Sequence, residues 1–222
     1  HSVNGCVRKC MQPLSDEQIT ARLKEVCRRR NEKHFVEDLT RIDALPKTRS
    51  LGYVIGVLYG DGFIVKWKSV GLKTTNRSFA NAFAKALETG GLGIPRQQSR
   101  YEDKICLGRR YNNVLYHEVF IHSRSLALAI WRRFGPTTER EWKINVPRFL
   151  EYGKEFCLGV LQGFFDAEGS IWNTPQERGK YRVWRISASS SNKVGLQTVA
   201  ELMQKLSFTP YFYATTKENR IV

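Results

Sequence analysis

Two stretches of the chain share one pattern of apolar and small residues. Residues 51 to 64 read LGYVIGVLYGDGFI, and residues 157 to 172 read CLGVLQGFFDAEGSIW. The apolar runs predict core helices over about 51–60 and 154–167. Each carries a small residue at every fourth place: Gly52, Gly56 and Gly60, then Gly159, Gly163 and Ala167. Such residues fall on one helix face. Glycine in a helix interior costs about 0.5–1 kcal/mol relative to alanine, so a file of them needs a cause. A shift of 107 residues lays Leu51 on Leu158, Gly52 on Gly159, Gly56 on Gly163, Asp61 on Glu168 and Gly62 on Gly169. The chain therefore contains two similar halves.

The pattern downstream of each helix repeats as well. FIVKWKS and GLKTT alternate as a strand pair and precede a helical stretch, SFANAFAKALE. Strand-like segments follow around 95–101, 104–107 and 114–122, then an apolar helix, SLALAIWRRF, and a link over 142–150. In the second half the order is strand SIWNT, strand YRVWRISAS, a helix over 193–206 and strand TPYFYAT. Residues 72–77 match 188–193 at a shift of 116, which adds nine residues to the second hairpin. The chain stops about where the first half begins its last strand and helix. The division expected is a basic, mainly helical extension (1–49), a first half (50–150) and a second half (151–222), in an α+β fold. Within the extension, Ser15 and Gln18 have capping-box spacing, and Ile19, Leu23, Val26 and Cys27 share a face. A second short helix is expected around 35–42. Two short basic helices fit either a DNA-reading helix-turn-helix or an extension packed on the main body.

The small stripes form grooves that let two helices approach more closely than the usual spacing of about 8–10 Å. Gly52, Gly56, Gly159 and Gly163 are the expected helix interface. Side-by-side pairing brings Asp61 and Glu168 together at one end. Carboxylates are disfavoured at helix C-termini, and two of them repel. Gly62 and Gly169 suit the left-handed conformation that ends a helix. A divalent cation resolves the conflict, because hard metals take carboxylate oxygens together with phosphates.

Charge sharpens this picture. Thirty-six Lys and Arg against twenty-one Asp and Glu leave a net +15, which favours a polyanionic partner, most often nucleic acid. No run approaches the roughly 20 apolar residues of a membrane span, so a soluble intracellular protein is expected, with no membrane partner. The five cysteines are odd in number and scattered, and imply no disulfide framework. Cys6 and Cys10, with Cys27 and His34, match no common zinc spacing.

VIGVLYGDG (54–62) and LQGFFDAEG (161–169) both resemble the nine-residue signature of LAGLIDADG homing endonucleases. Two copies about a hundred residues apart, each followed by a strand-strand-helix order, extend the resemblance over roughly 50 to 222. Tyr59 departs from the usual acid at the sixth place, a position that caps or packs, whereas Asp166 keeps it. The resemblance implies two αββαββα halves related by a pseudo-twofold axis between the signature helices, with saddle-shaped antiparallel sheets over double-stranded DNA. It implies that Asp61 and Glu168 are catalytic and bind Mg²⁺, with Gly60 and Ala167 beside them at the metal and Mn²⁺ able to substitute. The implied outcome is a staggered double-strand break with 3′ overhangs, made by a monomer on a long asymmetric site. Lys73 stands where the family often has a basic auxiliary. Its second-half counterpart is Ser189, which puts a two-lysine mechanism in doubt.

Strand alternation assigns the DNA-facing set. In the first half it comprises Trp67, Ser69, Lys73, Arg96, Gln98 and Arg100. In the second it comprises Trp172, Arg185, Ser187, Ser189, Tyr211 and Tyr213, with Trp184, Ile186 and Ala188 as core. The competing readings are a LAGLIDADG RNA maturase acting on its own intron RNA and a DNA-binding regulator without nuclease activity. Both signature acids are present, which favours cleavage. An intein is disfavoured by the ends of the sequence.

Overall fold

A computed structural model describes residues 16–65, 68–106, 109–135, 142–176, 181–214 and 219–221. The order is α1 (Asp16–Ala44), α2 (Arg49–Tyr59), β1 (Gly62–Val65), β2 (Ser69–Thr74), α3 (Arg77–Thr89), β3 (Arg96–Cys106), β4 (Arg109–His122) and α4 (Arg124–Phe134). It continues with α5 (Val146–Glu151), α6 (Lys154–Glu168), β5 (Gly169–Gln176), β6 (Tyr181–Ser190), α7 (Lys193–Lys205), β7 (Phe212–Ala214) and β8 (Asn219–Ile221). The strands form two open antiparallel sheets with the same neighbour order, β1-β2-β4-β3 and β5-β6-β8-β7. The class is α+β, as expected.

The duplication extends to the hydrogen bonds. Gly62 pairs with Leu72 in the first sheet, and Gly169 pairs with Ala188 in the second. Asn76 caps α3 by accepting from the Phe79 amide at 3.1 Å, and Asn192 caps α7 by accepting from the Gly195 amide at 2.9 Å. These asparagines occupy equivalent places in the 116-residue shift. Each side-chain oxygen satisfies an amide that a helix start leaves unpaired.

Both halves share one core. Val54, Ile55 and Leu58 of α2 are buried with Val70, Leu72, Phe83 and Leu87, and Phe156, Val160 and Phe164 of α6 with Leu196 and Val199. Aromatic rings seal the join. Trp142 lies 5.1 Å from Tyr59, and Phe149 lies 5.3 Å from Phe156. The link is also tied down by hydrogen bonds, since Asn192 Nδ2 donates to the Trp142 carbonyl at 2.6 Å and the Ile144 amide donates to Thr198 Oγ1 at 3.0 Å.

The structure corrects three expectations. The described extension is one 29-residue helix, not two short ones. No glycine or proline interrupts 16–44, and the arginine run continues the helix, with Arg28 bonded to both Glu25 and Glu32. Its far end packs on α4 through Ile42, a 2.5 Å hydrogen bond from Ser125 to Asp38 and an ion pair between Arg133 and Asp43. Ser15, Cys6 and Cys10 lie outside the described residues. Secondly, the segments expected at 95–101 and 104–107 are a single strand, β3, whose pairing shifts between Glu102 and Lys104. Thirdly, Trp184 and Ile186 are not core; they are 69% and 55% exposed. Ala188, two residues on, is buried, but so is Ser187 on the opposite face, so burial does not follow the expected alternation. The first-half counterparts of Ile171 and Ile186, Ile64 and Val70, are buried, and α4 lies on β2 there. Among the described residues of the second half, no helix takes the place of α4.

Candidate functional site

The site begins with the contact between α2 and α6. A Cβ built on Gly52 would stand 2.1 Å from the Phe156 carbonyl oxygen, and one on Gly56 the same distance from that of Val160. The reverse face matches, with Gly159 against the Arg49 carbonyl and Gly163 against that of Tyr53, both at 2.1 Å. Each helix thus sets its glycines on the other's backbone, a spacing at which Cα–H groups meet carbonyl oxygens. Polar clasps flank the seam. Tyr53 donates to Asp166 Oδ2 at 2.8 Å, and Arg49 donates to Gln162 at 3.2 Å. Asp166 and Tyr59 occupy the sixth signature place in their halves. Tyr59 is buried, with its hydroxyl donating to the Phe134 carbonyl.

The pairing carries the two acid ends together. Gly60 ends α2, and a Cβ there would lie 2.5 Å from the Ala167 Cβ and 3.0 Å from Glu168 Cγ. The carboxyl of Glu168 is pushed up to about 7, first by burial and then by the negative charge of Asp61. Asp61 is more open to solvent, yet burial raises its carboxyl too, against the attraction of Lys104. The two carboxyls thus lie within electrostatic reach of each other where two helices end, a position that the helix dipole disfavours for negative charge. Among the described residues, no three His, Cys, Asp or Glu side chains gather as a metal cluster. Asp61 and Glu168 remain as hard oxygen donors, with the Gly60 and Ala167 backbones adjoining them. This set fits a Mg²⁺-like ion that takes its other ligands from water and phosphate.

Neither following glycine takes the left-handed conformation expected of it. Gly169 is extended (φ −88°, ψ 159°), and Gly62 also lacks a positive φ. Close approach explains both. A Cβ on Gly169 would meet the Phe165 carbonyl at 2.1 Å, and one on Gly62 would meet Leu58 Cα at 2.8 Å. The glycines let the chain fold back tightly from helix to strand.

The expected DNA-facing residues divide. Lys73 follows the partner of Gly62 in β2, beside the chain at Asp61, and Ser189 holds the matching place beside Glu168. Arg96, Gln98 and Arg100 alternate on one face of β3 and are exposed, as are Trp172, Arg185 and Tyr211. Ser69 and Ser187 are buried, 5% and 2% exposed, and do not offer themselves to a partner. Ser187 is occupied by hydrogen bonds with Trp172 Nε1 at 2.9 Å and Ser170 Oγ at 3.1 Å. Trp67 and the side chain of Tyr213 lie outside the described residues.

Sequence reasoning missed the partners of Lys73. Its amine donates to Glu102 Oε2 at 2.5 Å and lies 4.7 Å from the centre of the Tyr116 ring. Lys73 and Glu118 are cross-strand partners because β2 pairs with β4, its non-consecutive neighbour. Only the alternation of Tyr116 and Glu118 in the sequence hinted at their face.

Comparison with known proteins agrees with this architecture. A family model described as a LAGLIDADG-like domain matches residues 155–221. An uncharacterized protein of Methanocaldococcus jannaschii is 24% identical over 197 residues, covering 87% of this chain and 67% of that protein. The homing endonuclease I-WcaI bound to its DNA recognition sequence is similar in structure (TM-score 0.50, 13% identity, 84% of this chain and 80% of that one). Also similar are I-DmoI in complex with DNA and Mn (TM-score 0.46, 12% identity, 79% and 89%) and full-length DUF199/WhiA from Thermatoga maritima (TM-score 0.47, 10% identity, 83% and 55%). With a LAGLIDADG-like domain over 155–221 and a first unit of the same sheet order ahead of it, the chain has the LAGLIDADG fold.

Proposed function

We propose that the protein is a LAGLIDADG endonuclease that makes a staggered double-strand break with 3′ overhangs in duplex DNA. The observation that carries this reading is the meeting of Asp61 and Glu168 at the joined ends of α2 and α6. Two like charges placed together at two negative helix ends oppose folding, so their position is best explained by a cation and a reaction. The net charge of +15 and the likeness in fold to a homing endonuclease bound to DNA support duplex DNA as the partner. Residues 50–150 and 151–222 would each supply one sheet and one acid, so a single chain would suffice for both strands.

In this reading Asp61 and Glu168 hold the cation edge, and the Gly60 and Ala167 backbones keep it open for a phosphate. The carboxyl of Glu168, raised to about 7 by burial and by Asp61, keeps its proton in part of the free protein at neutral pH, which eases the repulsion without removing it. Bound Mg²⁺ or Mn²⁺ would polarise the scissile phosphate and ease attack by water. Lys73, beside Asp61, contributes positive charge in the first half. Ser189 cannot do the same in the second, so the two strands would be cut by unequal sites. Arg96, Gln98, Arg100, Arg185 and Tyr211 would line the duplex.

The test uses a randomised duplex library with Mg²⁺, and the wild-type, Asp61→Asn and Glu168→Gln proteins. Cutting by the wild type alone, with duplex binding in Ca²⁺ kept by all three, supports the proposal. Binding without cutting by the wild type in Mg²⁺ or Mn²⁺ would instead assign the fold to a regulator or maturase.

A further inference from the structure

Two cations on the side of the first sheet assigned above to the duplex are already engaged by this chain's own acids. Glu102 is the centre of the arrangement. One of its oxygens accepts from Lys73 at 2.5 Å and the other pairs with Arg100 Nε. Arg100 also reaches toward Glu118 Oε2 at 3.6 Å, and Glu118 accepts from Gln98 Nε2 at 2.6 Å. The register places Lys73, Glu118 and Gln98 in one row across β2, β4 and β3, so the network spans three strands of one face.

Neutralising a buried cation does not explain these carboxylates. Lys73 and Arg100 keep 32% and 50% of their side chains exposed, and water would solvate them. Exposed ion pairs of this kind also add little stability. Acids on a surface that binds a polyanion weaken its attraction. Duplex binding without sequence preference draws its strength from cations that displace counterions at phosphates. A cation held by an internal carboxylate contributes only after that carboxylate is displaced.

We propose that Glu102 competes with DNA phosphate for Lys73 and Arg100 and so acts as a brake on non-cognate duplex. This rests on the reading of the surface as a DNA groove. Glu102 is a positioning residue here, since it acts through the two cations. A duplex seated in register, with phosphates at both cations, displaces it; a duplex in passing contact does not.

The experiment measures binding of a random-sequence duplex in EDTA, where no cutting occurs, over a range of salt. Glu102→Gln keeps the shape and removes the charge. It is expected to bind roughly three- to tenfold tighter at moderate salt, with a slope of log affinity against log salt steeper by about 0.9 for each cation released to a phosphate. The gain should vanish when Glu102→Gln is combined with Lys73→Met and Arg100→Gln. A merely structural role would leave the salt slope unmoved. Unchanged or weaker binding by Glu102→Gln, with the parent protein binding normally, overturns the proposal alone. Absence of duplex binding by both proteins at low salt overturns the DNA reading with it.

Discussion

Replacing Gly56 by alanine adds one methyl group at the tightest part of the molecule. Its Cβ would stand 2.1 Å from the Val160 carbonyl oxygen and 2.8 Å from the Phe164 amide nitrogen. Both neighbours are helix backbone and cannot swing away as a side chain would. Restoring ordinary contact near 3.4 Å requires the helices to part by about 1.3 Å. Overpacking of this kind costs about 1–3 kcal/mol, and the rigid neighbours argue for the upper end. Alanine's better helix propensity returns up to about 1 kcal/mol, leaving a net loss of about 2 kcal/mol. For a chain of this length that lowers the thermal midpoint by about 4–8 °C. Gly163→Ala pushes the same pair apart against the Tyr53 carbonyl at 2.1 Å, so the double variant should lose less than the sum of the singles. Cutting should fall further than stability does, because displacement of about 1 Å at a reacting geometry can cost about a hundredfold. Midpoints by calorimetry and initial cutting rates below the midpoint test this together. A Gly56→Ala protein with an unchanged midpoint and full activity, or strictly additive losses, would refute the close-packed seam.

Further outcomes follow from the same geometry. Glu168 binds its proton more tightly when folded, up to about 7 against an ordinary 4.5, so its contribution to stability is complete below about pH 4.5 and disappears as pH rises through about 7. The midpoint of metal-free wild type should therefore fall relative to Glu168→Gln across that window, and parallel curves would sink this assignment. Added Mg²⁺ should stabilise the wild type more at pH 8 than at pH 5, and should do so weakly in Asp61→Asn; equal shifts in both proteins would place the ion elsewhere. Tyr53→Phe removes the half-buried hydrogen bond to Asp166 and should cost about 1–2 kcal/mol in chemical denaturation, with no loss counting against the clasp.

What could be read in the sequence was what the duplication repeats. The glycine file and the acids that follow it recur at matched places. The expected division of 16–44 into two helices fails because Glu25 and Glu32 sit at the spacing from Arg28 that lets one helix continue. The conformations of Gly62 and Gly169 were misjudged because tight return and left-handed geometry call for the same residue. In β6 alternation did not foretell burial, since Ser187 and Ala188 are both buried while Trp184 and Ile186 are exposed. Burial of Ile186 depends on whether a helix covers it, and a strand's own pattern cannot reveal that. Lys73 and Glu102 are 29 residues apart and meet through strands that are not consecutive. Only the sheet order discloses such a pair.

In the proposed reaction one edge, made by the two joined helix ends, serves both DNA strands. Sequencing both ends of the products cut from a randomised duplex library in Mg²⁺ tests it most directly. One cut in each strand is expected, staggered to leave 3′ overhangs, with double-strand products lost in both Asp61→Asn and Glu168→Gln. Blunt or 5′-overhanging ends, or the same products from either variant, would contradict it.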